Sequence, residues 1–256
     1  MRELELIVRS VDVYGHGIVK VVYLNAVAAE NENVVVVLSN GSVVSVAPWA
    51  GNAKGILESW LLGQAGGPAL ADVIFGKVSP SGKLAQTIPM DINDDPSMIN
   101  WPGEEGHVDY GEGVFVGYRY YDTAGVPTAF PFGYGLSYTT FTQKMSDITN
   151  DGADLKFSVT VTNTGSVAGK DVVEIYSNPP YTNGGIEKAS ANLLDFAKTG
   201  ELAPGESETI DFTIPVEELA SYDYQNNGCY VLEAGDYVIS TNADSHTALD
   251  SKTCNF

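Results

Sequence analysis

The chain has 256 residues, of which 44% are hydrophobic, and a formal net charge of −20, with a pI near 4.2. That length accommodates one large or two ordinary domains, each able to bury its own core. Charge of that sign excludes a nucleic-acid binder, which needs clustered Lys and Arg to displace counterions from phosphate, and no apolar run approaches the ~20 residues that span a bilayer.

The first 30 residues fit no single pattern. LELIV and GIVKVVYL are β-prone, AVAAE suits the tail of a helix, and MRELELIVRSVDVYGHG lacks the continuous apolar run of a secretory signal. From Asn33 to Asn40, NVVVVLSN has the β-branched continuity of a strand buried on both faces of a parallel sheet, ended by Asn-Gly. After Pro48-Trp49, AGNAKGILESWLLGQ places Ile56, Leu57, Trp60 and Leu61 on one helical face. PALADVIFG then reads as a helix with proline in its first turn and a stop at Gly76. SPSGKLAQTIP reads as turn and strand, so strand, helix, helix, strand gives a layered α/β body. Trp49 falls at the C-terminal end of the buried strand, where α/β ligands bind, although core packing is the simpler reading.

The stretch NDDPSMINWPGEEGHVDYGEG reads as a long acidic surface loop. Trp101 offers a face on which a sugar ring stacks, and Glu104 and Glu105 offer acceptors for hydroxyls, so a carbohydrate contact is the sharper alternative. Asp91, Asn93 and Asp95 begin like a calcium loop, but Pro96 stands where glycine is needed, and no metal-ligand motif is present. GKVSPSGKL misses the phosphate-loop spacing and lacks its Ser/Thr, and GEGVFVG misses the dinucleotide spacing, so no cofactor is indicated.

Tyr110 to Phe141, YGEGVFVGYRYYDTAGVPTAFPFGYGLSYTTF, is dense in Tyr, Phe and Gly. No 3.6-residue stripe can be drawn through it, so strands joined by tight turns are expected, with rings packed between two larger bodies. Glu112 and Arg119 are its evident polar pair, expected to form a structural latch in which Arg119 is held by the carboxylate and stacked on a tyrosine such as Tyr118. Glu112 also keeps a claim as a substrate contact.

Beyond residue 141 helix signals almost vanish. DLKFSVTVTNTG, GKDVVEIYSNPP, SETIDFTIP and GDYVISTNA alternate apolar and polar residues between turn signals such as Pro204-Gly205 and Asn227-Gly228. Short strands at that spacing predict an antiparallel β-sandwich, and the lack of a Cys…Trp…Cys pattern favours the fibronectin type III kind over the immunoglobulin kind. Cys229 and Cys254 are too few for a disulfide scaffold; two free thiols are expected, with pairing open if the hairpins align in an oxidising compartment.

In NVVVVLSNGSVVSVAPW, GGPALADVIFGKVSPSGKLAQTIP, YGEGVFVGYRYYD and FPFGYGLSYTTF the chain resembles glycoside hydrolase family 3, the β-glucosidase and β-xylosidase family. LLDFAKTGELAPGESETIDFTIPVEELASYD and GDYVISTNADS resemble the fibronectin type III-like domain that closes many members. The resemblance implies three segments: an unassigned stretch over 1–30, part of an α/β sandwich domain with a mostly parallel sheet over 31–141, and a fibronectin type III-like antiparallel β-sandwich over 142–256. It implies the C-terminal portion of a retaining enzyme that hydrolyses terminal β-D-glucosyl or related residues with two carboxylates about 5–5.5 Å apart. The nucleophilic Asp belongs to a (β/α)8 barrel with no counterpart here, and the acid/base Glu, in members where it lies on the α/β sandwich, falls upstream of the strand at Asn33, where residues 1–25 do not match. No catalytic residue is therefore assigned within the chain, and negligible glycosidase activity is expected of it alone. Alternatives are a non-catalytic module that binds carbohydrate or protein, and a shortened chain with an unrelated hydrolase activity. The expected partner is a β-glucoside or oligosaccharide in the complete enzyme, and an open sheet edge is expected to drive homo-oligomerisation. Cytoplasmic and secreted locations both remain open.

Overall fold

The structure, a computed structural model, describes residues 5–10 and 17–256. Its first body opens with β1 (Glu5–Ser10), α1 (Gly17–Glu30) and β2 (Val34–Ser39), followed by β3 (Gly55–Glu58). These strands form a parallel sheet in the order β1-β2-β3. Two parallel strands need a crossover between them, and α1 supplies it, which is why GIVKVVYL is helical despite its β-branched content. Val34, Val36 and Leu38 of β2 form the centre of a core with Val46, Trp49 and Ile88, covered by Leu24, Val27 and Ala28 of α1. Trp49 is thus a core residue, 5% exposed, with Nε1 donating to Ser45 O at 3.2 Å.

The helix expected over AGNAKGILESWLLGQ does not form. Ala50–Asn52 makes one 3-10 turn and Gly55–Glu58 is β3, paired with Val35–Leu38. Gly51 and Gly55 weaken a helix there, and the open edge of β2 takes up the GILE segment instead. The second expected helix is present as α2 (Gly66–Ile74), and Gly76 beyond it has φ 71°. β4 (Ile88–Pro89) pairs antiparallel with β5 (Thr128–Phe130). Between them the chain runs through two 3-10 turns, a long loop and α3 (Tyr118–Ala124). The expectation of a mostly parallel sheet is therefore corrected. Among the described residues the parallel pairs are β1-β2 and β2-β3, and every other pairing is antiparallel. The chain between β3 and β5 contains α2 and α3, but the strands that follow them, β4 and β5, pair antiparallel with each other and do not extend the β1-β2-β3 sheet.

The second body is a two-sheet sandwich. One sheet runs β10 (Asn192–Lys198), β9 (Val172–Asn178), β14 (Asp236–Asp244), β15 (Thr247–Asn255). The other runs β11 (Ser207–Pro215), β8 (Asp154–Asn163), β6 (Phe141–Met145), with β7 (Thr149–Asn150) also on β8; β12 (Ser221–Asp223) and β13 (Cys229–Val231) form a separate hairpin. Period-2 alternation sends Leu155, Phe157, Val159 and Val161 of β8 into one core with Val173, Ile175, Phe212, Ile214, Tyr237 and Ile239. Each such side chain contributes about 1.5–3 kcal/mol by leaving water. Cys229 is exposed, Cys254 is buried in this core, and both are free thiols.

The two bodies meet along the aromatic stretch. Tyr118 stacks on Phe132 at 4.8 Å, meets Tyr176 edge-on at 5.9 Å, and its hydroxyl accepts from Leu193 N at 2.9 Å. Ser245 N donates to Phe132 O at 2.9 Å, Lys83 Nζ to Ala243 O at 2.6 Å, and Lys198 Nζ to Ser81 O at 2.7 Å. Buried Asn163 ties the entry into the sandwich, accepting from Thr139 Oγ1 and donating to Val167 O and Leu202 O.

Candidate functional site

Three places gather polar chemistry. The first is the C-terminal end of the parallel strands. Asn40, 2% exposed, donates through Nδ2 to Ser42 O at 2.7 Å and to Glu58 Oε2 at 3.2 Å, leaving its Oδ1 without a partner. The other Glu58 oxygen accepts from Trp60 N at 2.9 Å, and Trp60 sits at φ 49°, a left-handed conformation rare for a bulky residue. Desolvation raises the Glu58 carboxyl above its ordinary range, against the lowering pull of those bonds. Both Glu58 oxygens are engaged in holding this corner.

The second is the loop from Asp91 to Val116. Asp91 and Asp95 act as caps: Asp91 accepts from Asn93 N at 2.9 Å and Asp95 from Ser97 N at 2.9 Å, each starting a 3-10 turn. Among the described residues no group of three His, Cys, Asp or Glu is placed to hold a metal ion. Glu104 and His107 exchange backbone hydrogen bonds around Glu105-Gly106, whose φ values of 50° and 80° are those of a type I′ hairpin. Trp101 is 70% exposed, and Glu104 and Glu105 are also exposed. Glu112 is half-buried, with its carbonyl accepting from Phe115 N at 2.9 Å.

Glu112 and Arg119 are not brought together. Gly117, at φ 56° and ψ −131°, turns the chain into α3 between them. No ion pair joins the two, and Arg119 Nε is buried without an acceptor while its guanidinium lies 5.7 Å from the Tyr118 ring centroid. Of the expected latch, the tyrosine stacking forms and the carboxylate grip does not.

The third place is the seam itself. Glu174 on β9 is 4% exposed and accepts from Tyr176 Oη at 2.9 Å. Its carboxyl is pushed up to about 7 by desolvation, opposed by the Tyr176 hydrogen bond and the Lys83 charge. Gly133, at φ 80°, passes so close that a Cβ there would lie 2.2 Å from Glu174 Oε2. Sequence reasoning missed this residue, although VVEIY carries a signal: a carboxylate inside an otherwise apolar strand. Glu174 is almost fully buried, Glu58 is half-buried, and the two stand in different bodies.

A short parallel α/β sheet joined through an aromatic seam to a fibronectin-like sandwich defines the class of protein. Residues 20–138 match the glycosyl hydrolase family 3 C-terminal domain and residues 171–245 the fibronectin type III-like domain. The chain matches the C-terminal portion of glycosyl hydrolase family 3 proteins. It is 54% identical over 233 residues to an exo-α-(1→6)-L-arabinopyranosidase of Bifidobacterium longum, spanning 91% of this chain and 30% of the relative. It is 45% identical over 222 residues to thermostable β-glucosidase B of Acetivibrio thermocellus, spanning 84% of this chain and 28% of the relative. The crystal structure of the family 3 β-glucosidase of Bifidobacterium adolescentis superposes with a TM-score of 0.87 at 55% identity, over 93% of this chain and 35% of that one. β-Glucosidase 3B of Thermotoga neapolitana in complex with glucose gives 0.85 at 41% identity, over 92% and 33%. The chain thus spans about a third of the length of these proteins.

Proposed function

We propose that the chain is the scaffold third of a retaining glycosidase acting on terminal β-D-glucosyl or related pyranosyl residues, and that it does not hydrolyse glycosides by itself. The observation that carries this reading is the similarity to family 3 glycosidases over nine-tenths of the chain and only a third of theirs. The physical support is the state of the carboxyls with raised pKa. Glu58 holds the corner after the parallel strands and Glu174 holds Tyr176 at the seam, which supports a structural role for each.

In this reading residues 31–141 form part of the wall of the substrate pocket and 142–256 buttress it through the aromatic seam. Trp101, Glu104, Glu105 and Glu112 are the substrate contacts of that wall, since Trp101, Glu104 and Glu105 are exposed on one loop and supply an aromatic face and acceptors, the groups that suit a sugar ring and its hydroxyls. Leu61, Phe75, Ile99 and Tyr110, between 76% and 88% exposed, supply apolar surface for packing against the remainder of the enzyme. In isolation the same surface drives self-association. Adding the chain to the separately produced N-terminal portion of the B. adolescentis β-glucosidase tests the proposal: recovery of aryl β-glucoside hydrolysis supports it. A pair that associates in sedimentation yet stays inactive counts against it.

A further inference from the structure

A polar cleft of about 400 Å³ lies where α3 meets the outer face of the β9-β14-β15 sheet. Along β14 the odd positions Tyr237, Ile239 and Thr241 are fully buried, the first two in the sandwich core, while the even positions Val238, Ser240 and Asn242 line the cleft. Ser251 stands opposite Ser240 on β15, and Asn178 opposite Val238 on β9. The aromatic stretch covers one end of this face, with Tyr118 on Tyr176, and leaves the other open.

Three residues in the wall have hydrogen-bonding capacity that the protein does not use. Asp122 Oδ2, Asn242 Oδ1 and Ser245 Oγ are buried with no partner. Asn242 and Ser245 are each 5% exposed and the Asp122 side chain 7%. Two of the three oxygens only accept, so a ligand that reached them would have to donate. No Lys or Arg lines the cleft, which disfavours an anion. Asp122 is its single carboxylate and already contacts His246 Nδ1, whereas a divalent cation needs six or more oxygens. Serine hydroxyls from several strands donate and accept alike, as a polyol requires, and the volume falls within the range of small-molecule sites.

We propose that this cleft binds a neutral polyhydroxyl ligand, a pyranose unit of an oligosaccharide, on the fibronectin-like body. The claim is independent of the catalytic reading, since it needs neither the loop at Trp101 nor a catalytic carboxylate, only α3 and the fibronectin-like sandwich.

The test is an NMR titration of the whole ¹⁵N-labelled chain with D-glucose and cellobiose, alongside a separate titration with calcium chloride. Saturable shifts at the amides of Asn178, Ser240, Asn242 and Ser251 are expected. Ser251→Trp, at an exposed position on the rim, is expected to weaken them at least tenfold with an unchanged melting temperature. Asn242→Leu removes an unpartnered acceptor and should weaken binding as well; if it fails to fold, the rim variant decides alone. Absence of a saturable sugar response overturns the proposal, and so does binding that survives Ser251→Trp. A calcium response at Asp122 without a sugar response overturns it in favour of a cation.

Discussion

Glu174 sets a pH dependence that can be isolated by one substitution. Its ordinary carboxyl value of 4.5 rises to about 7 in the folded chain, first because burial penalises the charged form. Below about pH 4.5 the group is protonated in folded and unfolded chains alike, and its contribution is fully present. As pH rises towards 7 the unfolded chain ionises first, so stability is lost, and above 7 the loss is complete. The gap between 4.5 and about 7, at about 1.36 kcal/mol per pH unit, corresponds to roughly 3 kcal/mol. For a chain of this size that is about 6–12 °C in melting temperature. Glu174→Gln keeps an oxygen for Tyr176 Oη and removes the charge. Urea unfolding at pH 5 and pH 8, followed by tryptophan fluorescence, should show the two proteins close at pH 5 and the variant more stable at pH 8. Equal pH slopes in the two proteins would refute the assignment.

Gly133→Ala should destabilise the chain by more than about 2 kcal/mol in the same assay, because the new methyl group meets Glu174 Oε2 at 2.2 Å from a backbone at φ 80°. Tyr118→Phe leaves Leu193 N without its acceptor and should cost about 1 kcal/mol while the ring stack on Phe132 persists. Light scattering at micromolar concentration should give a mass above that of the monomer; a sharp monomeric mass would count against association through the apolar surface. In an enzyme reassembled with its N-terminal portion, Trp101→Ala should raise KM more than it lowers kcat, and unchanged kinetics would remove Trp101 from the pocket wall.

Much of the sandwich could be read from sequence because a half-buried strand writes its two faces at alternate positions, as Leu155, Phe157, Val159 and Val161 do. β2 is legible for the opposite reason, being apolar from Val34 to Leu38 without a break. The failures share a cause. GILE joins β3 because a neighbouring edge is open, and GIVKVVYL becomes α1 because parallel strands need a crossover; local residue preference carries neither fact. α3 was missed because it is a seven-residue helix whose aromatic side chains pack on the seam and show no amphipathic stripe. Glu112 and Arg119 stand on either side of the turn at Gly117 without an ion pair, and the cleft beside Asp122 joins residues more than a hundred positions apart. Within the aromatic stretch Tyr118 reaches the sandwich at Tyr176 and Leu193, while Tyr110 and Tyr138 are exposed.

The most direct test of the central claim is the turnover of an aryl β-glucoside by the purified chain alone. The account predicts no hydrolysis above the uncatalysed background from pH 4 to pH 8. Hydrolysis that is abolished by replacing a carboxylate within residues 1–256 would contradict it.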